Sequence, residues 1–154
     1  MQDESSDFLS SGCGRNHAAA IVRHALQQRY GDVRFEYIRH GYLGEDRRLQ
    51  ELRPDGHTQI WAVDISFRPE TTRRLQCAFG PDFVWIDHHI SALEAWRDTG
   101  WEDPVGFRDT AHSAAWLSWH HLFAAPAPLA VTWVDKYDLW QQDAEWKTRT
   151  CPWQ

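Results

Sequence analysis

The sequence predicts an α/β fold, a three-layer domain in which helices cover a mostly parallel sheet of about five strands. Short apolar runs rich in β-formers alternate with stretches of helical spacing along the chain, which is typical of a parallel sheet joined by helices. One run, residues 59–65, is almost continuously apolar, as expected of a strand that is buried on both faces. A second run, FVWI at 83–86, has the same character.

The first strand is predicted at 7–12, and the CGRN segment at 13–16 is predicted to be the turn that leads into a helix over 17–30. Apolar residues at helical spacing indicate that helix: Ala18, Ile21, Val22, Ala25 and Leu26. The run 33–38 alternates apolar and polar residues and is rich in β-formers, so it is predicted to be the second strand, followed by a loop at 40–46.

The second half of the chain continues the alternation. The third strand is predicted at 59–65, and a helix begins at Pro69, because proline is tolerated in the first turn of a helix. The fourth strand is predicted at 83–86 and is followed by a helix over 90–98. The remaining predicted elements are a short edge strand at 105–107 and helices at 112–123 and 129–140.

The chain of 154 residues has the length of one domain, which we place at 7–140 between a flexible N-terminus at 1–6 and a C-terminal tail at 141–154. Its polar and acidic start, MQDESSDF, lacks the basic and apolar regions of a secretory signal. No stretch of the sequence reaches the length that spans a membrane. We therefore expect a cytoplasmic protein without a membrane partner.

The net charge of −6 argues against a surface for long nucleic acids, since such surfaces are strongly basic. A small phosphorylated substrate or a short oligonucleotide is compatible with this charge.

Acidic and histidine side chains follow the two most apolar strands. Asp64 comes directly after IWAV, and Asp87, His88 and His89 come directly after FVWI. Because ligands bind at the carboxyl ends of parallel strands, we expect these four side chains to lie close together. Carboxylate oxygens combined with imidazole nitrogens suit Mn²⁺ or Mg²⁺. Alternatively, the two aspartates cap the following helices and backbone groups satisfy the histidines.

Four segments, in this order and spacing, resemble the DHH phosphoesterase superfamily, particularly members with an oligonucleotide-phosphatase-like pattern: IWAVDISFRPE, VWIDHHISALE, FRDTAHSAAWLSWHHLF and WVDKYDLW. The resemblance extends from about residue 8 to residue 140. It implies a Rossmann-like domain with a two-metal site, normally manganese, that hydrolyses phosphoester bonds. The metal ions would activate water and neutralise the phosphate oxygens.

The resemblance also implies roles for single residues. Asp64 would bridge the metals, His88 would bind one of them, and Asp135 would be the ligand from the WVD segment, with Asp138 as its alternative.

Four further residues receive roles outside the metal ligands. Asp87 would orient a histidine, and His89 would face the substrate phosphate, so both are expected to serve catalysis. His112 and Ser113 are expected to bind the substrate.

The first motif departs from the family pattern. Members of the family carry a motif of the kind HxxCxDGxxAA, whereas this chain has SSGCGRNHAAA, with Ser10 at the histidine position and Arg15 at the aspartate position. At least one metal position thereby loses its ligands, so we expect one ion, Mn²⁺ or alternatively Mg²⁺, rather than two. Arg15 would instead bind a phosphate of the substrate or, alternatively, would be a solvated arginine at the start of the helix.

The predicted function is that of a manganese-dependent phosphoesterase of reduced activity, acting on a nucleotide or a short oligonucleotide. The alternative is a catalytically inactive module that binds a nucleotide, a phosphate or another protein. The substrate-binding domain that follows WVDKYDLW in the family has no counterpart in the tail, QQDAEWKTRTCPWQ. We expect this tail, with Trp146 and Trp153, to contact a second copy of the chain or another partner.

Overall fold

A computed structural model describes residues 13–38 and 47–150. The described α-helices are α1 (Cys13–Tyr30), α2 (Arg47–Glu51), α3 (Pro69–Phe79), α4 (Ile90–Asp98), α5 (Ala114–Leu122) and α6 (Leu129–Asp138). The strands are β1 (Ile60–Val63) and β2 (Phe83–Ile86), and short 3-10 and π-helical turns lie at Gly80–Asp82 and Trp146–Thr150. None of the described helices combines the length and the apolar character needed to cross a bilayer.

The two strands pair in parallel, with Ile60 opposite Phe83 and Val63 opposite Ile86. Successive side chains of a strand point to opposite faces of a sheet, so each face receives half of these apolar residues. One face packs against α3 and α4 in a core of Ala62, Ile65, Leu75, Phe79, Phe83, Trp85, Ala92 and Trp96. The other face, with Val84 and Ile86, packs against Leu117 of α5. Helices therefore cover both faces of the sheet.

A third core joins α1, α5 and α6. Its buried residues are mostly alanines, namely Ala18, Ala114 and Ala115, together with Val134, and the half-buried Val63 of β1 packs against them. Small side chains allow helix axes to approach closely. This packing fixes α1 and α6 relative to the sheet.

The predicted α/β fold with a Rossmann-like sheet of about five strands is wrong. The described residues are mostly helical, and their sheet has two parallel strands. Residues 33–38, predicted to be a strand, form none. Val33 and Phe35 are half-buried between exposed neighbours, and the Arg23 guanidinium of α1 lies over the Phe35 ring. The alternation of this segment therefore reflects one-sided burial beside a helix rather than pairing in a sheet.

The predicted edge strand at 105–107 is reduced to isolated parallel bridges, which join Val105 to Val84 of β2 and Arg108 to Asp87, the residue after β2. The Arg108 guanidinium donates to the main-chain oxygen of Trp85 at 2.8 Å and so occupies an acceptor of the strand edge. Gly106, with φ 132°, approaches the same strand so closely that a Cβ atom would lie 2.0 Å from the Trp85 oxygen. A side chain thus replaces part of the expected ladder.

Other local predictions have mixed outcomes. The strand at 83–86, the helix start at Pro69 and the helix over 90–98 are confirmed. The CGRN turn at 13–16 is wrong, because these residues form the first turn of α1. The predicted strand at 7–12 and loop at 40–46 lie outside the described residues.

Candidate metal centre

The ends of the two strands bring the key side chains together. The register that places Val63 opposite Ile86 makes Asp64 and Asp87 the next residues of the two strands, and the Asp64 N–H donates to the Ile86 oxygen at 3.0 Å. Asp64 has a φ of 54°, in the left-handed region that side chains with a Cβ atom rarely adopt. Such strained residues cluster at functional sites, and Asp64 is buried at this strand end.

His88 lies between two carboxylates. Its Nε2 is 3.1 Å from Asp64 Oδ1 and 3.3 Å from Asp138 Oδ2. Burial alone would lower the pKa of His88, but the hydrogen bond to Asp64 and the charges of Asp138 and Asp64 outweigh it and raise this pKa above the ordinary value. In the absence of a cation, a proton on His88 therefore helps to balance the two carboxylates.

One carboxylate oxygen in this group lacks a hydrogen bond among the described residues. Asp138 Oδ2 is buried and, within the described part of the chain, has no hydrogen-bond partner. The 3.3 Å approach of His88 Nε2 does not satisfy it, because the hydrogen-bond geometry of that nitrogen is met by Asp64 Oδ1. Burial and the nearby negative charge of Asp64 raise the pKa of Asp138. A buried carboxylate oxygen without a donor is costly, so a cation would stabilise it.

His89 is held beside this group by Asp87. His89 Nδ1 lies 2.6 Å from Asp87 Oδ1, and the fully buried Asp87 also accepts hydrogen bonds from the Ser66 hydroxyl and the His88 main-chain N–H. The hydrogen bond to Asp87 raises the pKa of His89. Because Nδ1 is engaged, Nε2 is the nitrogen that His89 can offer to a ligand.

Asp64, His88 and His89 each offer one ligand atom, and these three atoms lie within 4.8 Å of one another. Ligand atoms around a single ion, at bond lengths of about 2.1 Å, are themselves about 3 Å apart. The 3.1 Å and 3.3 Å separations of His88 Nε2 from Asp64 and Asp138 have this spacing, whereas the three residues whose ligand atoms all lie close to one another are Asp64, His88 and His89. The donor set of nitrogen and carboxylate oxygen thus fits one divalent cation of the manganese or zinc type.

Asp135 and His112 form a neighbouring pair. His112 Nδ1 is 2.9 Å from Asp135 Oδ2, and the other oxygen of Asp135 accepts the Ser113 main-chain N–H. The Ser113 side chain caps α5 by accepting from the Trp116 N–H. Asp135 is therefore engaged with the start of α5, and of the two aspartates on α6 it is Asp138 that lies beside His88.

Arg15 and Gly14 bring the start of α1 to the same place. Arg15 Nε donates to the main-chain oxygen of Asp64 at 3.2 Å, so its guanidinium lies at the candidate metal centre. Gly14 contacts Asp138 so closely that a Cβ atom there would lie 2.9 Å from Oδ1. The structure thus collects α1, both strand ends and α6 around one point. Ser10, at the position of the family histidine, lies outside the described residues.

The sequence patterns left two contributors unidentified. Ser66, two residues after Asp64 in the segment DISF, supports Asp87 through its hydroxyl. Gly14 received no role, and the only sequence signal for it is its place in the altered first motif. The choice between Asp135 and Asp138 depends on helix rotation, which spacing alone does not give.

No family model, curated protein or solved structure matches the chain. The resemblance to the DHH phosphoesterase superfamily therefore stays a prediction.

Proposed function

We propose that this protein binds one divalent cation, Mn²⁺ in preference to Mg²⁺, through Asp64, His88 and Asp138, and uses it to hydrolyse a phosphoester bond of a nucleotide or a short oligonucleotide. The observation that carries the proposal is the buried Asp138 Oδ2, which has no hydrogen-bond partner among the described residues and shares His88 Nε2 with Asp64. Imidazole among the ligands favours Mn²⁺ over Mg²⁺, since Mg²⁺ prefers oxygen ligands.

Charge balance supports a cation rather than a purely hydrogen-bonded cluster. Asp64 and Asp138 place two carboxylates on the same histidine nitrogen, and the pKa of Asp138 is raised by burial and by the charge of Asp64. Removing such charges from water is expensive unless they are paired. A divalent ion offsets both carboxylates at once, whereas the hydrogen bond of His88 Nε2 joins it to Asp64 alone.

The ion would supply an activated water and would neutralise the phosphate oxygens. His89 is placed to contact the phosphate, because Asp87 fixes its Nδ1 and leaves Nε2 for the ligand. Its raised pKa favours the protonated ring, which can donate to an anionic oxygen. His112, fixed by Asp135 and about one-third exposed, offers a second imidazole next to α6.

The reaction class rests on the resemblance of the four sequence segments to phosphoesterases and on the combination of a metal site with oriented histidines. A catalytically inactive phosphate-binding module is the second candidate, and Arg15 favours it. Its guanidinium lies at the Asp64 main chain, where it adds positive charge without the ligands of a second metal. Both candidates share the cation site and differ in turnover.

Calorimetric titration of metal-stripped protein with Mn²⁺ tests the shared site. Wild-type protein is expected to bind one equivalent, and Asp64→Asn and Asp138→Asn are expected to weaken binding by about 100-fold or more, since changes to groups that only support a metal ligand already cost 10–100-fold. The matched control is Asp98→Asn, the same substitution at an exposed position at the end of α4. Asp135→Asn is expected to retain Mn²⁺ binding, because Asp135 contacts His112 and Ser113.

Folding of each variant is checked by circular dichroism. An Asp138→Asn protein that folds and binds Mn²⁺ as tightly as the Asp98→Asn control would reject the site. Assays of the Mn²⁺ protein on bis(p-nitrophenyl) phosphate, p-nitrophenyl phosphate and a dinucleotide then separate the two candidates. Turnover that Asp64→Asn abolishes supports hydrolysis, and binding without turnover supports the inactive module.

A further inference from the structure

Helix α6 ends in a Schellman motif with an unusual residue at its key position. The Gln141 N–H donates to the Lys136 oxygen at 2.8 Å, and the Trp140 N–H donates to the Tyr137 oxygen at 3.0 Å. These are the two hydrogen bonds that define the motif. Trp140 occupies the left-handed position, with φ 55°, that glycine usually fills. For a bulky residue this conformation is a genuine outlier, so the local backbone gives no reason for tryptophan.

Burial does not explain the tryptophan at this position either. Trp140 is 65% exposed, one of the most exposed large apolar residues in the described part of the chain. Its ring meets Tyr137 and Trp146 edge-on, with interplanar angles of 65° and 66°. These edge contacts restrain the indole while most of its surface stays open to solvent. Trp140 thus combines a strained backbone with a ring that edge contacts restrain and that solvent can reach, a combination that marks it as a candidate functional residue.

Anchoring of the tail does not require this ring. Tyr137 and Trp146 already stack on each other at 5.4 Å with an interplanar angle of 1°, which joins the tail to α6. The same spacing leaves no room between these two rings for a methylated ammonium group. The open surface of Trp140 instead suits a planar partner that stacks on it.

Trp140 also stands at the same end of α6 as the candidate metal centre, two residues after Asp138. We propose that Trp140 stacks on the base of a nucleotide whose phosphate is held at the candidate metal centre. This inference rests on the proposed function and makes its substrate specific, a nucleotide rather than a simple phosphoester. Stacking on a tryptophan accepts every base, since every base has a flat π-face.

Two titrations test this inference. In the first, AMP and ribose 5-phosphate are titrated into the Mn²⁺ protein, and wild-type protein is expected to bind AMP about fivefold more tightly or better, the lower end of base stacking. Trp140→Gly is expected to bind both ligands with the affinity of ribose 5-phosphate. Trp101→Ala, which truncates another exposed tryptophan, is the matched control and is expected to keep the preference for AMP.

The second titration does not depend on the metal. Adenosine is added to the metal-free protein while the tryptophan indole N–H signals are followed by NMR, with the Trp140 signal assigned from the Trp140→Gly variant. A shift of the Trp140 signal is expected. An unshifted Trp140 signal, or a Trp140→Gly protein that still prefers AMP, would overturn the inference even if Mn²⁺ binds. Loss of Mn²⁺ binding with a shifted Trp140 signal would instead reject the proposed function and retain the stacking surface.

Thermal unfolding of Trp140→Gly separates this role from a structural one. Glycine relieves the strain of the left-handed conformation, so the variant is expected to be at least as stable as the wild-type protein. A clear fall in its midpoint temperature would mean that the indole is held for packing, which would contradict the inference.

Discussion

Asp138 derives its properties from its neighbours rather than from its own place in a pattern. Its carboxylate lies under the first turn of α1, beside His88, and within the electrostatic influence of Asp64. Glycine at position 14 is what permits this approach, because the space that a Cβ atom would occupy is taken by the carboxylate. A residue with no functional group of its own thereby determines where a candidate ligand lies.

Gly14→Ala is therefore expected to weaken Mn²⁺ binding by about tenfold or more, in the range of changes that misplace a metal ligand. The added methyl group would lie 2.9 Å from Asp138 Oδ1 and would push the carboxylate away from His88. Stability should change by less than about 1 kcal/mol, because alanine favours the helix and offsets the contact. Calorimetry and urea unfolding measure the two effects. Asn16→Ala, at an exposed position in α1, is the control, and equal affinities of the two variants would contradict the prediction.

At the scale of secondary structure, the edge of the sheet depends on one arginine and one glycine. Arg108 donates to the main-chain oxygens of Trp85 and Pro104, and its guanidinium lies over the Trp85 ring. Gly106 lets the segment from Val105 to Arg108 run directly against β2. This arrangement supports Asp87, whose N–H donates to the Phe107 oxygen, and it therefore supports the orientation of His89.

Gly106→Ala is expected to destabilise the protein by about 3 kcal/mol or more, which is a large effect for a single substitution. Its Cβ atom would lie 2.0 Å from the Trp85 oxygen, and its φ of 132° is unfavourable for alanine. Gly100→Ala is the matched control, because Gly100 also has a positive φ, 68°, but a Cβ atom there meets nothing within 4 Å. Its expected cost is only about 1 kcal/mol of backbone strain. Equal midpoints of the two variants in urea unfolding would show that the contact with β2 is unimportant.

At the scale of the whole molecule, the sequence predicted what local patterns determine. The apolar run FVWI, the start at Pro69 and the helix over 90–98 could be identified, because strong burial and helix-start signals lie within each segment. The number of strands could not be predicted. The alternating residues of 33–38 pack beside α1 instead of pairing in a sheet, and Arg108 takes hydrogen bonds that an edge strand would make.

The residues of the candidate site were likewise predictable only in part. The rule that parallel strands place their carboxyl ends at one edge of a sheet was enough to predict that Asp64 lies close to His88 and His89. The contribution of α6 was left open between Asp135 and Asp138, because three residues separate them and both lie on one side of a helix. Only the packing of α6 against α1 and α5 distinguishes their surroundings.

The same surroundings make folding sensitive to pH in the absence of metal. The pKa of Asp138 is raised by burial and by Asp64, and the pKa of His88 is raised because its hydrogen bond to Asp64 and the nearby carboxylate charges outweigh the effect of burial. In both cases the folded state holds its proton more tightly than the unfolded state. Stability contributed by His88 is present below its unfolded pKa and is lost as the pH rises through the folded one. Ionisation of Asp138 likewise lowers stability as the pH rises above the ordinary pKa of an aspartate.

Asp138→Asn is therefore expected to stabilise the metal-free protein at pH 7–8 and to remove most of its stabilisation by Mn²⁺. The asparagine removes the charge that the folded state tolerates poorly, and it removes a ligand at the same time. Wild-type protein with Mn²⁺ at 100 times its dissociation constant should gain about 2.7 kcal/mol, or roughly 5–10 °C in midpoint temperature for a chain of this size. Thermal unfolding with and without Mn²⁺ measures both effects, and Asp98→Asn should behave as wild type. If the metal-free Asp138→Asn protein is less stable than wild type, the carboxylate supports the fold through contacts of its own. If Mn²⁺ stabilises that variant as much as wild type, Asp138 of α6 is not a ligand of the cation.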